Sequence, residues 1–303
     1  MLPNSKLAIF GISSLTLNDD EKYLLKNAAP WGIILFARNV EDREQLINLT
    51  QEIKSYDPNI NILIDEEGGR VTRLKNIYPD ILPSAESLGL IYQENKEAGK
   101  SAITQAYSEM AKRLKALGIN IVCAPVADLA HQNTHGVIGD RAFGNKVDLV
   151  VDTAKIAADT LLANGVTPII KHLPGHGRAT CDSHLELPTI TDSLAELEKN
   201  DFAIFKALNH YPLAMTAHII YECLDKDLPI TLSKQAFRYL REQIGFKGKI
   251  MSDDINMRAL KKFTLAEIVT YAINAGCDYI LHCDGNYAEM SNIVEELNRL
   301  DAA

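Results

Sequence analysis

Residues 171–184 concentrate side chains that can exchange protons or bind polar ligands. These fourteen positions hold one lysine, three histidines, one aspartate and one cysteine, interleaved with glycine and proline that oppose a long helix. The apolar run at 166–170 predicts a buried strand, so Lys171 and His172 are expected at its carboxyl end. Because an unpaired charge beside a buried strand is costly, we interpret this stretch as a site rather than a solvated loop.

Polar side chains follow the other predicted strands as well. In a barrel of parallel strands, the carboxyl ends all meet at the face where active sites lie. Any one of these residues could instead cap a helix or pair within the core, but their shared position favours a common site. The set consists of Arg38, Asp65, Asp128, Lys171, His172, His218, Asp253, Asp254 and Asp284.

One chemistry open to this set is metal-dependent hydrolysis. His172, His218 and Asp284 could act as ligands of a divalent metal. Metal hydrolases on barrels usually also place a His-x-His pair after the first strand, and residues 11–14 read Gly-Ile-Ser-Ser.

The other chemistry is glycoside hydrolysis, which needs a carboxylate, a proton donor and polar groups that hold sugar hydroxyls. Asp253 could be the nucleophile, with Asp65, Arg73, Lys171 and His172 binding the sugar. Cys181 could be a thiol nucleophile instead, but no separate base is placed to activate it, which disfavours that role.

The elements that must position these residues form eight strand–helix units. The strands are short and apolar and lack period-two alternation, which indicates burial on both faces. We predict an α/β fold, a (β/α)8 TIM-type barrel, with residues 1–303 as a single catalytic domain. An open doubly wound sheet is the alternative, but no G-x-G-x-x-G follows the first strand. The predicted strands are residues 7–12, 32–37, 61–65, 119–124, 166–170, 213–217, 249–254 and 279–283.

The amino-acid composition and net charge limit the kinds of partner that the protein could bind. The chain has 303 residues, 47% of them hydrophobic and 23% charged, with a formal net charge of −9 that argues against a nucleic-acid surface. No stretch approaches the roughly 18 apolar residues of a membrane span. Five cysteines without a C-x-x-C pair suit a reducing cytosol, and residues 7–12 suit a first strand better than a signal peptide. We therefore expect a cytoplasmic protein with a small-molecule partner and no obligatory protein partner.

Four sequence blocks resemble one known family. They are Ile-Asp-Glu-Glu-Gly-Gly-Arg-Val-Thr-Arg at 64–73, Gly-Asp-Arg-Ala-Phe-Gly at 139–144, Lys-His-Leu-Pro-Gly-His-Gly at 171–177 with Asp-Ser-His at 182–184, and Met-Ser-Asp-Asp at 251–254. The blocks are similar to those of bacterial β-N-acetylhexosaminidases of glycoside hydrolase family 3, the NagZ type, and occur in the family's order. The resemblance spans residues 38–283, nearly the whole chain.

The resemblance implies roles for eight residues and neither metal nor cofactor. Asp253 would be the nucleophile and His184 the acid/base, oriented by Asp182. The N-acetylglucosamine would be held by Asp65, Arg73, Arg141, Lys171 and His172. The chain departs from the family pattern in carrying Glu66 where glutamine is commoner, and in a shorter, more basic segment after Asp254.

The implied reaction is removal of terminal N-acetylglucosamine from muropeptide fragments, with retention of configuration, during cell-wall recycling. A neutral imidazole at His184, paired with Asp182, is chemically suited to proton transfer in both steps. Three different functions stay open beside it: a phosphorylase in which Arg178 attracts phosphate, a metal hydrolase, and a sugar-binding barrel without turnover.

Overall fold

The structure, a computed structural model, describes residues 5–131, 136–183 and 185–301. Eight parallel strands close into a barrel in the order β1-β2-β3-β4-β5-β7-β9-β10, which confirms the predicted fold class. The barrel strands are β1 (Ala8–Gly11), β2 (Gly32–Leu35), β3 (Asn61–Ile64), β4 (Ile121–Val122), β5 (Thr167–Leu173), β7 (Leu213–Thr216), β9 (Lys249–Asp254) and β10 (Tyr279–His282).

Helices follow the strands along the chain. They are α1 (Asp19–Ala28), α2 (Arg43–Tyr56), α3 (Ala85–Glu94), α4 (Lys96–Ala116), α5 (Val147–Ala163), α6 (Leu194–Lys199), α7 (Asp201–Ala207), α8 (Lys234–Glu242), α9 (Leu265–Ala275) and α10 (Tyr287–Asp301). Two short strands, β6 (Thr189–Ile190) and β8 (Ile220–Tyr221), pair with each other outside the barrel.

Each barrel strand is buried on both of its faces. Successive strand residues point to opposite sides, so Ile9 packs inside the barrel with Leu63 and Met251, whereas Phe10 packs in the core shared with the helices. Because both layers are apolar, the strands show continuous hydrophobic runs instead of alternation. This dense scaffold holds the residues at the strand ends in fixed positions.

One detail differs from the sequence-based prediction: strand β5 continues to Leu173, so Lys171 and His172 lie within its last residues. Helices α3 and α4 meet at Asn95, whose side chain caps α4 by accepting the Ala98 N–H at 3.0 Å. Helices α6 and α7 meet at Asn200.

Helix α3 packs unusually close to the loop that carries Arg141. A Cβ atom added at Gly89 would lie 1.8 Å from the carbonyl oxygen of Phe143. Real side chains do not approach a backbone oxygen so closely, so only glycine lets the helix and the loop meet at this distance.

We therefore expect Gly89→Ala to lower the free energy of unfolding by about 1–3 kcal/mol, despite the better helix propensity of alanine. Urea denaturation followed by circular dichroism measures it. Leu90→Ala, at a neighbouring position that is 61% exposed, is the matched control and should change stability by less than about 0.5 kcal/mol. Equal effects of the two substitutions would contradict the close-packing argument.

Candidate active site

A cavity of about 350 Å³ opens among the carboxyl ends of the barrel strands. This volume is at the small end of the range for ligand pockets. Six of the eight side chains assigned from the sequence line it: Asp65, Arg73, Arg141, Lys171, His172 and Asp253. Asp182 is not among the lining residues, although its neighbour Ser183 is, and His184 lies outside the described residues.

An ion cluster forms one wall of the cavity. The ammonium of Lys171 is buried and lies 2.7 Å from both Asp65 Oδ1 and Glu67 Oε1. Arg141 contacts the same Glu67 through two nitrogens, at 2.7 and 2.8 Å. Arg73 approaches Asp65 Oδ2 at 3.3 Å. Two carboxylates therefore share three cations, which fixes all five side chains.

The cluster shifts the pKa of Asp65, Glu67 and Lys171 in the direction of charge. Burial alone would raise the pKa of Asp65, but the charges of Lys171 and Arg73 outweigh it and hold that pKa well below its usual range. Burial likewise opposes the charge of Glu67, and Lys171 and Arg141 lower the pKa of that carboxyl on balance. The two carboxylates in turn raise the pKa of Lys171 against the effect of burial. All these groups are therefore charged at neutral pH.

Glu67 is a site residue that the sequence analysis missed. Its bonds to Lys171 and Arg141 link the strand-end residues to the loop at 139–144. Its place in the Asp-Glu-Glu-Gly-Gly run, directly after the third strand, was the available signal. The preceding Glu66 faces the other way: it accepts the Thr72 hydroxyl and the Arg73 backbone N–H, and burial raises its pKa.

Asp128 lies behind the cavity wall and fixes His172. It is fully buried, and its Oδ2 lies 2.6 Å from His172 Nδ1. Since a carboxylate only accepts, Nδ1 carries the proton, and Nε2 is the ring nitrogen left for a ligand. Asp128 Oδ1 accepts the backbone N–H groups of His172 and His176, at 3.1 and 2.7 Å. Burial raises the pKa of Asp128, but its interactions with His172 and His176 together lower that pKa on balance.

Asp253 and Asp254 end strand β9 and have different surroundings. Asp253 Oδ1 accepts the Asp254 backbone N–H at 2.8 Å. Asp254 Oδ1 accepts two backbone N–H groups, from Asn256 and Cys283, at 3.2 and 3.1 Å. Burial raises the pKa of Asp254, and the negative charge of Asp253 adds to the rise. Asp254 is thus held by backbone groups from two segments of the chain.

His218 was expected among the strand-end ligands, and it does not line the cavity. It is fully buried, with Nε2 3.0 Å from the carbonyl oxygen of Asp254 and Nδ1 2.7 Å from the Thr231 hydroxyl. Because a carbonyl only accepts, Nε2 donates to Asp254, while the Thr231 hydroxyl can either donate to Nδ1 or accept from it. His218 thus supports the end of β9 from behind.

Arg178 also turns away from the cavity. Its guanidinium contacts Asp192 and Asp201 at 2.6 Å each and Glu196 at 3.3 Å. Three carboxylates already neutralise this cation, and it is not among the cavity-lining residues. The residue that a phosphorylase would need for phosphate is therefore committed to holding its loop against α6 and α7.

The surroundings of Cys181 do not favour a thiol nucleophile. Burial raises the pKa of Cys181, and Glu186 and Asp182 raise it further, which disfavours a reactive thiolate. Within residues 5–131, 136–183 and 185–301, no group of three or more histidine, cysteine or acidic side chains is arranged to hold a metal ion. Over the same residues, no helix is both long and apolar enough to cross a membrane.

Comparisons with known proteins identify the family of the chain. Residues 4–303 match the family described as the glycosyl hydrolase family 3 N terminal domain. A β-hexosaminidase of Thioalkalivibrio sulfidiphilus is 36% identical over 278 residues, covering 90% of this chain and 79% of that protein.

Two solved structures show the same fold. NagZ from Neisseria gonorrhoeae, in complex with N-trifluoroacetyl-D-glucosamine, superposes with a TM-score of 0.87 at 36% identity, covering 97% of this chain and 84% of that one. A family 3 β-N-acetylglucosaminidase from Paenibacillus sp. str. FPU-7 gives a TM-score of 0.91 at 29% identity, covering 99% of this chain and 58% of the longer relative.

A closed barrel with a polar cavity at its strand ends is the architecture of barrel enzymes, the glycosidases among them. Within that class, the chain belongs to glycoside hydrolase family 3. It is a glycoside hydrolase that acts on β-N-acetylhexosaminides.

The contacts of Glu67 in the ion cluster predict how much this residue contributes to stability. Glu67→Gln should lower the free energy of unfolding at pH 7 by about 3 kcal/mol, because it leaves two buried cations with one carboxylate. The lowered pKa of Glu67 means that its stabilisation is present above its ordinary pKa of 4.5 and is lost as the pH falls below it. Acidification from about pH 5 to 3 should therefore destabilise the wild type more than the variant. Urea denaturation across this range measures both effects.

The matched control is Asp140→Asn, which breaks the Arg70–Asp140 pair in the same region, where both side chains are at least 36% exposed. That change should cost less than about 1 kcal/mol. Equal costs for the two substitutions would show that the buried cluster contributes no more than a surface pair.

Proposed function

We propose that the protein is a retaining exo-β-N-acetylglucosaminidase, with Asp253 as nucleophile, His184 as acid/base and Asp182 orienting that imidazole. One observation carries the proposal. One small cavity is lined by Asp253, by Ser183, which stands between Asp182 and His184 in the sequence, and by four members of the ion cluster, Asp65, Arg73, Arg141 and Lys171. This lining supports a site in which the proposed nucleophile, a polar wall for a sugar and the segment of the proposed proton donor would meet.

The proposed reaction has two steps. Asp253 attacks the anomeric carbon, and the bond to the leaving oxygen breaks as His184 gives that oxygen a proton. The imidazole then removes a proton from water, which attacks the same carbon and releases the sugar and the Asp253 carboxylate. Two inversions give net retention. The N–H of Asp254, 2.8 Å from Asp253 Oδ1, supports an ionised and oriented nucleophile.

The ion cluster is suited to hold the sugar. Lys171, Arg73 and Arg141 offer donors to hydroxyl and carbonyl oxygens, and Asp65 offers an acceptor. The Nε2 atom of His172, whose tautomer Asp128 fixes, offers a further acceptor. A volume of about 350 Å³ favours one terminal sugar residue over an internal stretch of polymer, in keeping with exo action. The N-trifluoroacetyl-D-glucosamine complex of the gonococcal relative supports an N-acylated glucosamine.

The finer parts of the proposal rest on the family resemblance. The substrate would be GlcNAc-anhydroMurNAc and its peptides, released in cell-wall recycling, and no cofactor or metal would take part. The cytoplasm would be the location, in keeping with five free cysteines. Residues 1–303 would act as one catalytic domain.

Product analysis tests the reaction type. With a chromogenic N-acetylglucosaminide, the first product should be free β-N-acetylglucosamine at every phosphate concentration. Prolonged dialysis against a strong chelator should leave the rate unchanged, because no metal-bound water is used. Dominant sugar 1-phosphate at millimolar phosphate would establish the phosphorylase instead, and loss of activity restored by added metal would establish the metal hydrolase.

The two-step mechanism predicts a specific defect in His184→Ala. The variant should lose activity on alkyl glycosides such as the natural disaccharide far more than on nitrophenyl glycosides, because a phenolate leaves without a proton. Slow attack by water should then let glycosyl-Asp253 accumulate, giving a burst of nitrophenol in rapid-mixing experiments. Equal losses on both substrates without a burst would exclude His184 as acid/base.

Asp253→Asn is the control for the covalent step. It preserves the side-chain volume but removes the nucleophile, so it should still bind N-acetylglucosamine and show neither turnover nor burst. Substantial turnover in this variant would move the nucleophile to another residue.

A further inference from the structure

One residue anchors an otherwise exposed segment beside the cavity. Between residues 180 and 187, the described positions are exposed or half-buried except Ser183, which is 2% exposed. Ser183 also lines the cavity. A small polar residue that is buried alone in an exposed segment needs partners for its hydrogen-bonding groups.

Both polar groups of Ser183 have partners from different parts of the fold. Its hydroxyl oxygen lies 2.9 Å from His176 Nε2. Its carbonyl oxygen accepts the backbone N–H of Ala259 at 3.3 Å, from the segment that follows β9. The chain then turns tightly, because the Asp182 carbonyl accepts the N–H groups of both Leu185 and Glu186 at 2.9 Å. Ser183 is thus tied to the barrel on two sides.

His176 is itself firmly held. Its backbone N–H donates to the buried Asp128, and its ring packs edge-on against His172 at a centroid distance of 5.4 Å. Burial and the neighbouring His172 lower the pKa of His176 to about 4. The ring is therefore neutral at physiological pH, and protonation does not break its bond to Ser183.

The bond to Ser183 is the one side-chain hydrogen bond that the His176 ring makes within the described part of the chain. The other ring nitrogen, Nδ1, is buried without a partner among these residues. Because Nδ1 has no partner there, that nitrogen does not stabilise the buried ring. The hydrogen bond at Nε2 is therefore the interaction that an apolar ring of the same size could not make.

We propose that His176 and Ser183 are positioning residues that hold Asp182 and His184 at the cavity through the Nε2–hydroxyl hydrogen bond. The inference rests on the proposed function, since it assigns a support to the proposed dyad. Ser183 is covalently joined to both dyad residues, so fixing its side chain and carbonyl limits how far either can move. His176 is also linked to the sugar side of the cavity, because it shares Asp128 with His172.

The test compares substrates that need a proton donor with one that does not. Ser183→Ala should lower kcat/KM for an alkyl N-acetylglucosaminide about tenfold, the size expected for one lost hydrogen bond to a buried group. It should change kcat/KM for a nitrophenyl N-acetylglucosaminide by less than about threefold, because the phenolate leaves unprotonated. His176→Phe, which keeps the ring and removes its nitrogens, should show the same pattern.

Three further variants separate positioning from general damage. Ser183→Thr keeps the hydroxyl and should lose several-fold less than Ser183→Ala. Thr180→Ala removes an exposed hydroxyl in the same segment and should behave as wild type. The double variant of Ser183→Ala and His176→Phe should be no worse than either single variant, because the two residues act through one bond. Thermal melting of each variant checks that it is folded.

Equal slowing of the alkyl and nitrophenyl substrates, or additive losses in the double variant, would overturn the proposal. His184→Ala measured alongside separates this failure from failure of the proposed function. If His184→Ala discriminates between leaving groups and Ser183→Ala does not, only the positioning role is wrong. If His184→Ala does not discriminate either, the dyad assignment and the positioning role both fail.

Discussion

The buried ammonium of Lys171 is the constraint on which the site depends. A charge 2% exposed at the end of a barrel strand is tolerable only with close counter-charges, and Asp65 and Glu67 supply them at 2.7 Å. Each carboxylate also contacts an arginine, Asp65 pairing with Arg73 and Glu67 with Arg141. A single buried cation therefore ties together two strands and two loops that are distant in the sequence.

The same arrangement prepares the cavity for a neutral, polyhydroxylated ligand. The charged side chains already satisfy one another, so binding does not require a net charge on the substrate. Their geometry is fixed before the ligand arrives, which limits the entropy lost on binding. Asp128 holds His172 and His218 holds the end of β9 from outside the cavity. These contacts also fix the geometry of the site before the ligand binds.

Much of this organisation could be predicted from the sequence, because short apolar runs separated by helical patterns specify a barrel and place polar residues at the strand ends. Six assigned side chains, Asp65 and Asp253 among them, do line one cavity. Glu67 was not assigned, because its importance comes from Lys171 and Arg141, which only the closed fold brings to it. His176 lies in the 171–177 block, but its hydrogen bond to Ser183 likewise depends on the folded loop.

Asp128 is a buried residue whose hydrogen bonds limit the substitutions that this part of the sequence can accept. Its two oxygens accept three N–H groups, from the His172 ring and from the backbones of His172 and His176. An asparagine of identical shape would turn an NH2 group toward at least one of these donors. Asparagine could serve there only with its NH2 group facing His172 Nδ1 and the ring proton moved to Nε2, so residue 128 determines the tautomer of the ring at 172. Because Asp128 contacts both His172 and His176, the sugar-binding wall and the loop that leads to Asp182 and His184 are constrained together.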